Sequence, residues 1–173
     1  MPISEPDATS IEVVVEIPRG GRNKYEYDDK RGRIVLDRVL FSSVHYPTDY
    51  GFIPETLAGD GDHLDALVVV EEPTFPGCMV FARPIGTLNM ADEKGEDQKI
   101  LCVSSRDPRF DNVHDLQDLP PHWLREVENF FQSYKALEGV RTDVMGWSGK
   151  AQAWEIIAEC RQRALAVKQD KLP

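Results

Sequence analysis

What most constrains this chain is the point at which its hydrophobic period changes. β-type runs fill the first two-thirds, and a helical period begins only at Pro120-Pro121. The β-branched run Ile11–Ile17 is stopped by Pro18 and the Gly20-Gly21 pair, the composition and punctuation of a strand. Lys24-Tyr25-Glu26-Tyr27-Asp28 alternates strictly, which puts Lys24 and Glu26 on one face and the two tyrosines on the other. A turn over Asp28 to Gly32 then leads into Arg33–Arg38, a hairpin partner for that strand. Tyr46 to Pro54 reads as an aromatic loop bounded by prolines. Ala66–Val70, Cys78–Leu88 and Lys99–Val103 read as further strands, with a charged turn over Asp92–Asp97. In the last third, Leu124, Val127, Phe130, Phe131, Tyr134 and Leu137 form one helical stripe that closes near Gly139. A second helix is expected from a Ser148 N-cap, carrying Trp154, Ile157 and Leu165. Many short strands followed by two helices predict an α+β fold, a small β-barrel with both helices packed outside.

The chain's 173 residues suffice for one domain spanning 1–173, with a polar, acidic start (residues 1–10) expected to be flexible and unlike a signal peptide. Thirty acidic against 20 basic side chains give a formal charge of −10, which argues against nucleic acid or an anionic membrane as main partner. Cys78, Cys102 and Cys160 are odd in number and widely spaced, the pattern of reduced thiols in a cytoplasmic protein.

Candidate chemistry begins at Asp60-Gly61-Asp62-His63-Leu64-Asp65, three carboxylates within six residues ahead of a β-type run. Like charges held this close need a cation between them, and oxygen-only ligands suit hard divalent ions such as Mg2+ rather than zinc. An EF-hand is excluded, because Leu64 stands where that loop needs a ligand and Asp65 where it needs glycine. The bland alternative is a solvated polar turn. A second acidic turn, Asp92-Glu93 with Asp97, precedes a strand that opens on Lys99. Lys24, Arg38, Tyr50 and the adjacent Tyr134-Lys135 add groups of the kind that bind phosphate. If Glu16, Glu26 and these acids shared a cavity with those cations, negative charge would dominate. An anionic substrate would then have to enter with several metal ions. Taken alone, Tyr134 reads as core and Lys135 as a solvated helix lysine. His63 lacks a second histidine at ligand spacing and reads as a bystander beside the site.

Together, Glu16-Ile17-Pro18, Lys24-Tyr25-Glu26, Asp37-Arg38, Tyr46-Pro47, Asp49-Tyr50-Gly51, Asp60–Asp65, Arg83–Gly86, Asp92–Asp97 and Phe130-Phe131 with Tyr134-Lys135 carry a specific resemblance. In this order, over about residues 11–147, the chain resembles the soluble, single-domain, Mg2+-dependent inorganic pyrophosphatases of bacterial type. The resemblance implies hydrolysis of diphosphate on an OB-like five-stranded barrel, in a cytoplasmic homo-oligomer, a hexamer above other states. It implies that Asp60, Asp65, Asp92 and Asp97 hold several Mg2+ ions and that Glu16 helps to hold a further one. Mn2+ or Zn2+ could stand in, whereas Ca2+ is expected to inhibit. Lys24, Glu26, Arg38, Tyr50, Lys99, Tyr134 and Lys135 would line the diphosphate. Asp62 would orient or deprotonate the attacking water, with Asp97 the second candidate. Two positions depart from the family pattern: His63 stands where proline is usual, and residues 139–143 are shorter and less basic. The alternatives are a metal-dependent phosphohydrolase acting on nucleotide or polyphosphate anhydrides, and a nucleic-acid-binding OB module, which the charge disfavours.

Overall fold

The structure, a computed structural model, describes residues 3–4 and 7–170. Of the expected flexible start, residues 1, 2, 5 and 6 lie outside the described residues; residues 7–10 form a turn in which Asp7 Oδ1 accepts the Thr9 N–H at 2.9 Å. Among the described residues eight strands run in order: β1 (Ile11–Ile17), β2 (Asn23–Asp28), β3 (Arg33–Val39), β4 (Asp49–Ile53), β5 (Leu64–Val69), β6 (Met79–Asp92), β7 (Gly95–Ser104) and β8 (Asp143–Gly149). Two helices, α1 (Pro121–Ser133) and α2 (Lys150–Asp170), complete the fold.

β1, β4, β5, β7 and β6 are neighbours in that order, and β6 pairs back onto β1, so the five close into an OB-like barrel. Only β5 and β7 run parallel; the other pairings are antiparallel. β8 extends the sheet from β6, and β2 with β3 makes a separate hairpin. β1 shows why the ring closes here: Ile11, Val13, Val15 and Ile17 are buried on one face, and the chain leaves through Pro18 into a left-handed Gly20 (φ 83°). β5 and β7 are apolar on both faces because each face is covered. One face packs Leu67, Leu101 and Val103 with Val127, Phe130 and Phe131 of α1. The other packs Ala66, Val68, Ile100 and Cys102 with Ala153, Ile156, Ile157 and Cys160 of α2. All three cysteines are free thiols, two of them buried.

Several expectations change. The aromatic loop contains β4, all five of whose residues are buried. It crosses β1 so closely that a Cβ on Gly51 would stand 1.9 Å from the Val14 carbonyl oxygen, which admits only glycine. The charged turn 92–97 shrinks to Glu93-Lys94, because β6 and β7 run on to Asp92 and from Gly95. Ser148 does not cap a helix. It sits in β8, whose Ser148 Oγ accepts from Asn89 Nδ2 at 2.8 Å across the edge of the long β6. α1 ends at Ser133 rather than near Gly139; a 3-10 turn over Ala136–Glu138 finishes on left-handed Gly139 (φ 75°) and leaves Leu137 exposed. Leu165 is exposed too, since α2 packs only through its first turns.

Candidate active site

Alternation along β1 puts Glu16 on the face opposite buried Val15 and Ile17, and beside Lys24 the β2–β3 pairing takes up an extra residue, Asp37, on β3. Lys24, Tyr25, Glu26 and Tyr27 all border one cavity of about 330 Å3, together with Glu16. β4 contributes Tyr50 and Phe52 to it, β5 contributes Asp65, β6 contributes Asp92, β7 contributes Asp97 and Lys99, and the chain just past α1 contributes Tyr134 and Lys135. Asp60, Asp62 and His63 come from the turn before β5. Asp60 Oδ1 accepts the Asp62 N–H at 3.0 Å, and the Ala58 N–H donates to the Asp62 carbonyl at 2.8 Å around left-handed Gly61. These bonds hold the first two aspartates on a compact loop.

Lys99 is the cation at the floor. It faces Asp65 directly in the parallel β5–β7 register, and Asp97 lies two residues before it on the same face. Its ammonium donates to Asp65 Oδ2 at 2.8 Å, to Asp97 Oδ1 at 3.0 Å and to Tyr50 Oη at 3.1 Å, with only 1% of the residue exposed. Burial alone would lower its pKa, but the two carboxylates outweigh burial and hold it well above the ordinary lysine value. Lys135 pairs with Asp92 at 3.1 Å and Lys24 with Glu26.

The carboxylates are under strain as they stand. Burial, with Asp65 nearby, pushes Glu16 up to about 7, against the Tyr27 N–H that donates to it at 2.7 Å. Burial raises Asp97 more than Lys99 lowers it. Asp62 is raised by burial and by Asp60. Asp92 goes the other way: burial would raise it, but the Lys94 N–H and Lys135 together hold it low. Eight carboxylates (Glu16, Glu26, Asp29, Asp60, Asp62, Asp65, Asp92, Asp97) face four lysines (Lys24, Lys94, Lys99, Lys135). Oxygen donors in that excess suit hard divalent cations, and the lysines and the buried phenols of Tyr50 and Tyr134, pushed above the usual tyrosine value by burial, keep donors for an anion.

A stability test follows for Glu16. Its folded pKa lies above the ordinary glutamate value of 4.5, so the folded state holds the proton more tightly and loses stability as pH rises from 4.5 through about 7. Glu16→Gln should therefore raise the melting temperature of the metal-free protein at pH 8. About 2 kcal/mol, or roughly 4–8 °C, is the scale for a partly exposed group shifted this far. At pH 4 the two proteins should melt together. Thermal melts in EDTA at both pH values check this, and equal shifts at both would mean that ionised Glu16 is not strained.

Most of the residues singled out in the sequence border this cavity; Arg38 and Glu93 do not. Arg38 stands opposite Lys24 on the hairpin, but Asp37 and Glu138 hold its guanidinium, the latter at 2.7 Å from Nε. Tyr134 is both core and cavity wall, and Lys135 is half-buried rather than solvated. The cavity gains Asp29 and Lys94, which no motif marked, because both sit in hairpin turns aimed at its mouth.

A closed OB-like barrel with an acidic, lysine-floored cavity beside it defines a protein built to hold cations and an anion together. The chain belongs to the inorganic pyrophosphatase family, whose model matches residues 13–165. It is 52% identical over 153 residues to an inorganic pyrophosphatase of Methanosarcina acetivorans, covering 88% of this chain and 91% of that one. With that of Synechocystis sp. it shares 50% over 157 residues, covering 91% and 93%. The crystal structure of inorganic pyrophosphatase from Thermus thermophilus superposes with a TM-score of 0.89 at 44% identity, over 95% of this chain and 96% of that one.

Proposed function

We propose that this protein hydrolyses inorganic diphosphate to two orthophosphates with the help of several Mg2+ ions. The observation that carries this reading is the excess of eight carboxylates over four lysines in one cavity of about 330 Å3. That net charge repels a lone diphosphate and welcomes one that arrives with cations. Asp60, Asp65, Asp92 and Asp97, with Glu16 bordering the same cavity, are the proposed Mg2+ ligands. Held there, Mg2+ would supply positive charge for the substrate and would lower the pKa of a bound water.

The chain's own residues do the rest. Lys24, Lys99 and Lys135 donate to phosphoryl oxygens, and the Tyr50 and Tyr134 hydroxyls, kept protonated by burial, add two more donors. Glu26 holds Lys24 in place. Arg38, which lies off the cavity, joins if the substrate draws it from Asp37 and Glu138. Asp62 orients the attacking water and takes its proton, with Asp97 as the alternative acceptor. The oxygen donors admit Mn2+ or Zn2+ in place of Mg2+, whereas the larger, looser shell of Ca2+ inhibits.

We further propose that the chain works as one domain, in the cytoplasm, where free Cys78, Cys102 and Cys160 suit a reducing compartment. No helix among the described residues is long and apolar enough to cross a membrane. Exposed Val35, Leu36, Val39 and Phe41 on and beside β3 suit burial between subunits, and six copies is the expected assembly. Phosphate release from diphosphate should vanish in EDTA, return with Mg2+, fall with added Ca2+, and exceed release from ATP or tripolyphosphate, with sedimentation giving six times 19.6 kDa. Full turnover in excess EDTA would end the metal reading, and a preference for ATP would move the substrate to nucleotides.

A further inference from the structure

Residues 139–143, the segment that departs from the family pattern, contain one polar side chain that is fully inside. Thr142 is 2% exposed and lies against the last turn of α1. Its Oγ1 stands 2.6 Å from the Phe131 carbonyl oxygen and 3.2 Å from that of Gln132. A hydroxyl has one proton to donate, and the nearer oxygen, that of Phe131, takes the larger share. The Gln132 amide seats this threonine against the helix. Its Nε2 donates to the Thr142 carbonyl at 2.8 Å, and its Oε1 accepts the Val144 N–H at 3.3 Å. Tyr134 to Arg141 thus form a loop whose two ends meet at the end of α1.

The oxygen that Thr142 takes is the one that decides where the helix stops. If α1 ran on, the Phe131 carbonyl would accept the Lys135 N–H, four residues later. The Thr142 hydroxyl competes for that carbonyl. Tyr134 still donates its N–H to the Phe130 carbonyl at 2.8 Å, but Lys135 leaves the helical conformation at φ −102°, ψ 3°. From that backbone the Lys135 ammonium reaches Asp92 Oδ2 at 3.1 Å and borders the acidic cavity. Tyr134 has its own support, since its ring packs on Phe130 and Phe131 with centroids 5.3 Å and 5.4 Å away. We propose that Thr142 is a positioning residue that ends α1 ahead of Lys135 and so aims the Lys135 ammonium at Asp92 and the diphosphate. The inference rests on the phosphate-binding role given to Lys135 above.

Thr142→Val keeps the shape of the side chain and removes the hydroxyl, which frees the Phe131 carbonyl for the Lys135 N–H. Misplacing one phosphate-binding group should lower kcat/KM for diphosphate about tenfold. Thr142→Ser, which keeps the hydroxyl, should stay within about twofold of the parent. The melting temperature should fall in Thr142→Val as well, because a buried carbonyl loses its donor, so the deciding comparison is made in Lys135→Ala. There Thr142→Val should cost no further activity, since the group it positions is gone. Gln132→Leu, at an exposed position, removes the two amide bonds that seat Thr142 and should give the same Lys135-dependent loss even if Thr142→Val does not fold. Crystal structures of the parent and Thr142→Val supply a readout apart from turnover: the Lys135–Asp92 contact should be lost in the variant. An undiminished kcat/KM in Thr142→Val, a loss that persists without Lys135, no rescue by serine, or an intact Lys135–Asp92 contact would each overturn the role. If the parent leaves diphosphate intact while the contact is still lost in Thr142→Val, the hydrolysis reading fails and the positioning stands.

Discussion

Asp62→Asn should lower turnover of diphosphate by about 10²–10⁴-fold, the span typical of a positioned general base, with little change in the Mg2+ concentration that gives half-activity. The structure separates this carboxylate from its neighbours. Asp65 and Asp97 are engaged by Lys99, Asp92 by Lys135, and Asp60 Oδ1 by the Asp62 N–H. Among the described residues the Asp62 carboxylate has no ion pair within 4.0 Å, and burial with the Asp60 charge raises its pKa. A carboxylate that is uncommitted and more basic than usual is the better proton acceptor. Asn keeps the shape and one acceptor oxygen but loses the basicity, so the acidic limb of the pH–rate profile should shift. Asp60→Ala and Asp65→Ala should instead raise the Mg2+ requirement. Titrations of activity against Mg2+ for the three variants separate ligand from base. If Asp62→Asn loses Mg2+ binding in step with turnover, Asp62 is a ligand and the base role passes to Asp97. Asp97 starts with a handicap, because both of its oxygens lie within 3.1 Å of the Lys99 ammonium.

What could be read in the chain alone follows from how local each signal is. β1 to β3 and the aspartate turn are legible because alternation, a proline and three nearby like charges act within ten residues. β4 escaped because Asp49-Tyr50-Gly51-Phe52-Ile53 is buried on both faces, so it shows no alternation, and its glycine looks like a loop signal until β1 passes 1.9 Å from a virtual Cβ. β8 escaped for a different reason: Gly146 and Gly149 interrupt it, and it covers the edge of β6 from Gly86 to Ala91 that β1, paired only as far as Ala82, leaves open. The same division runs through the cavity. Lys99 beside Asp97 is a two-residue spacing on one strand, whereas its pairing with Asp65 needs the parallel register of β5 and β7. Arg38 lies off the cavity because Glu138, distant in sequence, takes its guanidinium. Asp29 and Lys94 reach the cavity from the hairpin turns that close the β2–β3 and β6–β7 pairings.

Lys99→Met should unfold the metal-free protein at a temperature roughly 10 °C lower, and Mg2+ should recover the lost stability without recovering the activity. Lys99 is fully buried, and its ammonium sits between two carboxylates and against the faces of Tyr50 and Phe131, at 5.2 Å and 5.3 Å from the ring centroids. Methionine fills the same stem but leaves Asp65 and Asp97 facing each other without a counter-charge. Removing one partner of a buried pair costs about 3–5 kcal/mol, which for a chain of this size is roughly 10 °C. The defect should shrink at low pH, because protonating either carboxylate removes the repulsion. Burial already raises the pKa of Asp97. Divalent cations can do the same job at neutral pH if Asp65 and Asp97 are ligands, so the stability gained from Mg2+ should be larger in Lys99→Met than in the parent. A phosphoryl oxygen has no such substitute, since among the described residues bordering the cavity Lys99 is the one cation held between Asp65 and Asp97. Thermal melts with and without Mg2+, beside phosphate release on the same samples, decide the matter. An Mg2+ stabilisation no greater than that of the parent would remove Asp65 and Asp97 from the metal site, and near-parental turnover would remove Lys99 from the substrate.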